Sequence, residues 1–66
     1  MASKNNVTII EDTDGIRLST LFSVHIPSTV KDFQDAIKLI DEQAHLERQR
    51  IVTKAGEKFG IKVQWE

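Results

Sequence analysis

The chain has 66 residues, nine basic and ten acidic, with a formal net charge of −1 and no cysteine. Balanced charge gives neither a global basic field to gather nucleic acid nor an acidic tail. The lack of cysteine excludes disulfides and thiolate metal sites. A chain this short buries only about 60% of the surface that its unfolded form exposes. Oligomerisation is then the remaining staple, and a homodimer is expected. No apolar run approaches the ~20 residues needed to span a bilayer, and the polar stretch from Met1 to Asn6 has no signal-peptide core. The expectation is a cytoplasmic protein without a membrane partner, with a flexible tail at 1–6 and a single small domain at 7–66.

Val7 to Glu11 reads as a short strand. Asp12-Thr13-Asp14-Gly15 follows, and Asp-Gly is a strong turn signal because glycine accepts positive φ at no steric cost. From Ile16 the chain alternates. Ile16, Leu18, Thr20, Phe22, Val24 and Ile26 share one face, and Arg17, Ser19, Leu21, Ser23 and His25 share the other. Period two predicts a half-buried strand through Ile26, paired in a hairpin with the strand before it. Leu21 is the apolar exception on the polar face. Pro27 ends the strand. Ser28 or Thr29 is the expected helix cap, Thr29 and Asp32 having the spacing of a capping box.

No helix breaker interrupts Ser28 to Lys54. Val30, Phe33, Ile37, Ile40, Ala44, Ile51, Ala55 and Phe59 recur at helical spacing. The stripe has a fault between Ala44 and Arg50, where the expected apolar position falls on Glu47 or Arg48. A straight helix from Ser28 to Phe59 would be roughly 48 Å long. A compact chain of this size has a radius of gyration near ~11 Å. Length favours a break. Local composition favours continuity, because Gln, Ala, Leu, Glu and Arg are good helix formers. The prediction is one continuous helix, ended by Gly60 at the C′ position. Ile61, Val63 and Trp65 then alternate with polar residues as a final strand.

No Gly-rich phosphate loop, nucleophile elbow or metal motif is present. Asp12 and Asp14 are turn residues. The chain is therefore expected to be neither an enzyme nor a cofactor carrier. His25 is expected on the polar face of the strand and His45 on a solvated helix face. Arg48, Arg50, Lys54 and Lys58 form a basic cluster diluted by Glu47 and Glu57. Such mixed charge is usually solvated, and its alternative role is phosphate binding. On a continuous helix, Leu39 and Leu46 lie one above the other, opposite the main stripe. They are candidates for a dimer or partner interface. Trp65 is a candidate for the same role or for the core.

Residues 22–59 resemble the ribbon-helix-helix repressors. Phe22-Ser23-Val24-His25-Ile26-Pro27 resembles the ribbon, Val30, Asp32, Phe33 and Ile37 the first helix, and Ile51, Ala55 and Phe59 the second. In that family two ribbons pair across a dimer and their outward side chains enter the major groove. The resemblance implies Leu21, Ser23 and His25 as readers, with Arg48, Arg50 and Lys54 as further nucleic-acid contacts. The sequence departs from the family in having no glycine between the helices and no Lys or Arg at the reader positions.

The fold expected is α+β: an antiparallel ββαβ unit of a hairpin, one long amphipathic helix and a C-terminal strand. Its alternative is a ribbon-helix-helix dimer with extra strands. The function expected is that of a small non-catalytic protein-binding regulator or inhibitor, acting through a strand edge or the outer helix face on a protein partner not identified by the sequence. The alternative is a dimeric DNA-binding repressor.

Overall fold

The computed structural model describes residues 6–65 of the protein. Of the expected tail at 1–6, only Asn6 falls among them. Three strands, β1 (Thr8–Asp12), β2 (Gly15–Ser19) and β3 (Ser23–Pro27), precede two helices, α1 (Phe33–Gln43) and α2 (Arg48–Lys58). The strands form one antiparallel sheet in the order β1-β2-β3. The α+β class holds. The element order is βββαα, where ββαβ with a single helix was expected.

Each departure has a physical cause. The alternating run from Ile16 to Ile26 is two strands, not one. Ser19 pairs with Ser23, Leu18 with Val24 and Ile16 with Ile26. A turn of three residues, Thr20 to Phe22, joins them, and the Thr20 amide donates to the Phe22 carbonyl at 2.9 Å. An odd-numbered turn preserves parity. The even residues therefore face the helices on both strands, just as they would on a single long strand, and alternation cannot separate the two cases. Ile16, Leu18, Val24 and Ile26 are all buried. Phe22, expected on the core face, is instead a half-buried turn residue, and Leu21 at the centre of the turn is exposed.

The predicted continuous helix is broken. α1 ends at Gln43, and Ala44 takes extended dihedrals (φ −135°, ψ 110°). α2 begins at Arg48 after Glu47. No Gly, Pro or Asn marks this turn, so tertiary burial has overridden helix propensity. The break folds α2 back on α1. Ile51, Val52 and Ala55 then join Ala36, Ile40 and Ala44 over the sheet. Phe33 at the start of α1 meets Phe59 beyond the end of α2, with ring centroids 6.1 Å apart. The radius of gyration is 11.1 Å, that of a compact chain. Glu47, at the fault in the apolar stripe, is buried, and its carboxylate accepts from the Arg50 guanidinium. A buried carboxylate needs such a partner.

Residues 61–65 form no strand. Gly60 has φ 75°. Its amide donates to the Glu57 carbonyl at 3.1 Å, and the Ile61 amide donates to that of Gly56 at 2.7 Å. This is the reciprocal pair of a Schellman end. It turns the chain back along α2 as an unpaired extended segment. Gly56 makes room for that segment: a Cβ there would lie 2.5 Å from Val63 Cγ2 and 2.9 Å from the Ile61 carbonyl oxygen. Trp65 is half-exposed, and its indole Nε1 donates to Thr53 Oγ1 at 2.7 Å. The alternation of Ile61, Val63 and Trp65 reflects packing on a helix rather than on a sheet.

Two local features hold the ends of the sheet. Asp32, not Ser28 or Thr29, caps α1, its carboxylate accepting from the Gln34 amide at 3.0 Å. At Gly15 (φ 141°) a Cβ would lie 2.0 Å from the Ile26 carbonyl oxygen, so only glycine lets β3 pass this close. The first expected outcome concerns the corrected faces. Leu18→Ala should lose about 2–5 kcal/mol, as for a fully buried leucine. Phe22→Ala should lose clearly less, because its side chain lies outside the buried cluster. Urea unfolding of the two variants measures the difference. Equal losses would contradict the turn at Thr20–Phe22.

Candidate functional site

The two edges of the sheet are treated differently, and this asymmetry defines the candidate site. β3 is one edge. The His25 amide donates to Gln43 Oε1 at 3.2 Å, and Gln43 Nε2 donates to the His25 carbonyl at 3.4 Å. The side-chain amide at the end of α1 thus stands in for a neighbouring strand. It also shows that the backbone groups of His25 point away from β2. In an antiparallel pair successive residues alternate in direction, so Ser23 and Pro27 point outward as well. Pro27, lacking an N–H, offers no donor on that side. β3 is thus covered at His25 by a glutamine and lacks a donor at Pro27, which leaves only Ser23 with open outward groups.

The same alternation assigns β1. Ile16 and Leu18 bond to β3, so Gly15, Arg17 and Ser19 turn their backbone groups to β1. Their partners are Asp12, Ile10 and Thr8. The remaining β1 residue Ile9, with Val7 before it and Glu11 after it, directs N–H and C=O outward. No strand among the described residues pairs with that side. β1 is exposed along its whole length, with Ile9 36% and Ile10 49% exposed. Ile9 and Glu11 lie on the helix-facing side, opposite Leu18 and Ile16. The ammonium of Lys58, at the end of α2, reaches across to the Glu11 carboxylate. An inward charge on an edge strand discourages indiscriminate pairing, and here it is neutralised.

At the Asp12–Gly15 end of the sheet, reaching from the end of β1 across to that of β3, lies an open groove of about 240 Å³. Ile16, Ile26, Val30 and Phe59 give it an apolar lining, and Glu11, Asp12 and Lys58 are also among its lining residues. Among the described residues, no group of three or more His, Cys, Asp or Glu side chains is placed to hold a metal ion. No helix among them is long and apolar enough to cross a membrane.

The residues singled out from sequence are dispersed. Leu39 is half-buried on α1, while Leu46 lies in the turn after it and is 78% exposed. The helix break separates them, so they form no shared stripe. Trp65 lies over α2, far in sequence from either. Ser23 and His25 occupy the sheet face turned away from the helices, with Arg17 opposite His25. The four cations of α2 belong to the helical layer, and each has an acidic partner: Arg48 with Asp41, Arg50 with Glu47, Lys54 with Glu57 at 3.5 Å, and Lys58 with Glu11. Ser23 and His25 therefore share no surface with Arg48, Arg50 and Lys54. Gln43 went unseen in the sequence, because a helix-end glutamine carries no mark of the strand it covers. Val7, Ile9 and Glu11 were legible as a strand but not as the open edge.

Comparison with protein-family models finds no match, and neither comparison with curated proteins nor comparison with solved structures finds one. The edge closure itself is testable. Gln43→Ala leaves the His25 backbone groups to water and should cost about 0.5–1.5 kcal/mol, the net worth of an ordinary hydrogen bond. Amide exchange should accelerate at His25 and stay unchanged at Val24 and Ile26. Unaltered exchange at His25 would mean that Gln43 does not cover this edge.

Proposed function

We propose that this protein is a small non-catalytic binding module, of the regulator or inhibitor kind, that engages a protein partner by strand addition at β1. The observation that carries this reading is the contrast between the edges. One is covered at His25 by Gln43 and lacks a donor at Pro27, while the other presents the outward backbone groups of Val7, Ile9 and Glu11 in a row beside exposed Ile9 and Ile10. Natural sheets ordinarily blunt such edges. An open edge suits an extended segment, with main-chain bonds supplying affinity and the exposed side chains of the edge specificity. The homodimeric state proposed with it relies on the same edge.

A dimeric DNA-binding repressor is the second reading, favoured by the strand-helix-helix order of residues 23–58. Against it, the ribbon is occupied by β2 within one chain, and the cations of α2 are partnered by carboxylates. Phosphate affinity grows with the positive charge available to displace counterions.

The test is a peptide-display selection against the protein, followed by amide exchange. Selected peptides should slow exchange at Val7, Ile9 and Glu11 and bind Ile9→Pro at least about tenfold more weakly. That proline removes an outward N–H and leaves the ladder to β2 intact. Binding that leaves those three amides unaffected would overturn the reading. Retention on duplex DNA that falls steeply with added salt would favour the repressor instead.

A further inference from the structure

Resting on the reading of β1 as the recognition element, we infer that its occupant in the isolated protein is a second copy of the same strand, paired antiparallel about a two-fold axis at Ile9. The geometry restricts the register sharply. A two-fold perpendicular to the sheet keeps both helical layers on the same side, and directly opposed residues must share a face. Some residue of β1 must therefore face its own copy. Bonded pairs must also draw on the outward residues Val7, Ile9 and Glu11.

β1 offers five central residues, Thr8 to Asp12. Centring on Thr8 makes only two bonded pairs, Val7 with the partner's Ile9 and the reverse, and leaves the outward groups of Glu11 unused. Centring on Asp12 opposes two carboxylates. Centring on Glu11 opposes two carboxylates directly, which is destabilising. Centring on Ile10 makes bonded pairs of Ile9 with the partner's Glu11 and the reverse. It makes only two bonded pairs and leaves the outward groups of Val7 unused. Centring on Ile9 makes three bonded pairs: Ile9 with the partner's Ile9, and Val7 with the partner's Glu11 at each end. It uses every outward group from Val7 to Glu11 and places the isoleucines in contact on the helix-facing side. Ile9 lies opposite Leu18 within its own sheet, and Leu18 is fully buried. Pairing at Ile9 therefore joins the two hydrophobic cores into one beneath a six-stranded sheet. The Lys58 bridge holds the Glu11 charge to its own protomer, so that the carboxylate meets the partner's Val7 already neutralised.

The association is concentration-dependent, because a strand pair this short falls short of the ~1,200–2,000 Å² that stable interfaces bury. The experiment is a concentration series by sedimentation equilibrium and amide-resolved exchange on the unaltered chain. It is repeated on Ile9→Lys and Ile10→Lys, with circular dichroism verifying each fold. The mass should rise toward a dimer, and exchange should slow at Val7, Ile9 and Glu11 as it does. Thr8, Ile10 and Asp12, already bonded to β2, should not respond. Ile9→Lys opposes two ammonium groups and should weaken association about tenfold or more. Ile10→Lys, on the other face, should change it far less.

A monomer at every concentration, with those three amides exchanging freely, would overturn the second copy and leave the open edge standing. Association that proceeds without protecting them would overturn it too. Protection of the three amides in the dilute monomer would show the edge to be covered, and the strand-addition reading would then fall along with this one.

Discussion

Everything else in the molecule answers to one constraint. The sheet has a single apolar face, made by Ile16, Leu18, Val24 and Ile26, and the helical sequence must cover it. One helix cannot do so and remain in contact along its length. A rod of residues 28–59 would extend far beyond strands of five residues, at ~3.3 Å each. Breaking the rod after Gln43 brings a second apolar stripe, Ile51, Val52 and Ala55, onto the same face. The cost is a turn without turn residues and a buried Glu47, which Arg50 neutralises. The Phe33–Phe59 contact then closes the far end of the helical hairpin.

Much of this could be read in the sequence, and the failures have specific causes. The β1–β2 hairpin, the inward residues Ile16, Leu18, Val24 and Ile26 and the Gly60 terminus were legible because each depends on local geometry: a glycine turn, parity, a left-handed residue. The turn at Thr20–Phe22 was hidden because three intervening residues leave the alternation unbroken. The helix break was hidden because its cause is not local. Ala44, Leu46 and Glu47 are good helix formers, and it is the size of the sheet beneath them that forces the chain to turn. The terminal alternation misled for a related reason. An extended segment alternates whether its inward residues meet a sheet or, as with Val63 at Gly56, a notch in a helix. For the candidate site, composition announced that a small chain would need further burial, but nothing in it distinguished one edge from the other. Gln43 makes that distinction, and it lies 18 residues from the strand it closes.

The contrast between the edges also weighs on the two functional readings. A ribbon that reads DNA must pair with its copy and present its outward residues beside available cations. In this chain β2 takes the place of the second ribbon, and Gln43 takes the other side of β3. The outward face carries Ser19, Ser23 and His25 with Arg17, while the cations of α2 lie in the opposite layer among carboxylates. The surface that a repressor would use is thus divided between two sides of the sheet. The surface that strand addition uses is continuous from Val7 to Glu11.

Stability and recognition are consequently hard to separate in a domain of this size. Its buried cluster holds ten apolar residues, three of them alanines, and chains this small leave a large share of their surface in water. Ile9 stands at the rim of that cluster, next to Leu18 but open on its outer side. Whatever strand lies against β1 both satisfies the outward backbone groups and finishes covering Ile9. Binding at this edge would therefore extend the core itself, rather than add a contact to a finished one. A ligand that binds the folded chain alone raises its stability in proportion to the logarithm of occupancy. For a strand added at β1, that coupling would pass through Ile9 and its neighbour Val7, which already packs against the core. Ile9, exposed at the edge and paired with fully buried Leu18, is where a further strand would add apolar burial to that already made by the sheet and helices.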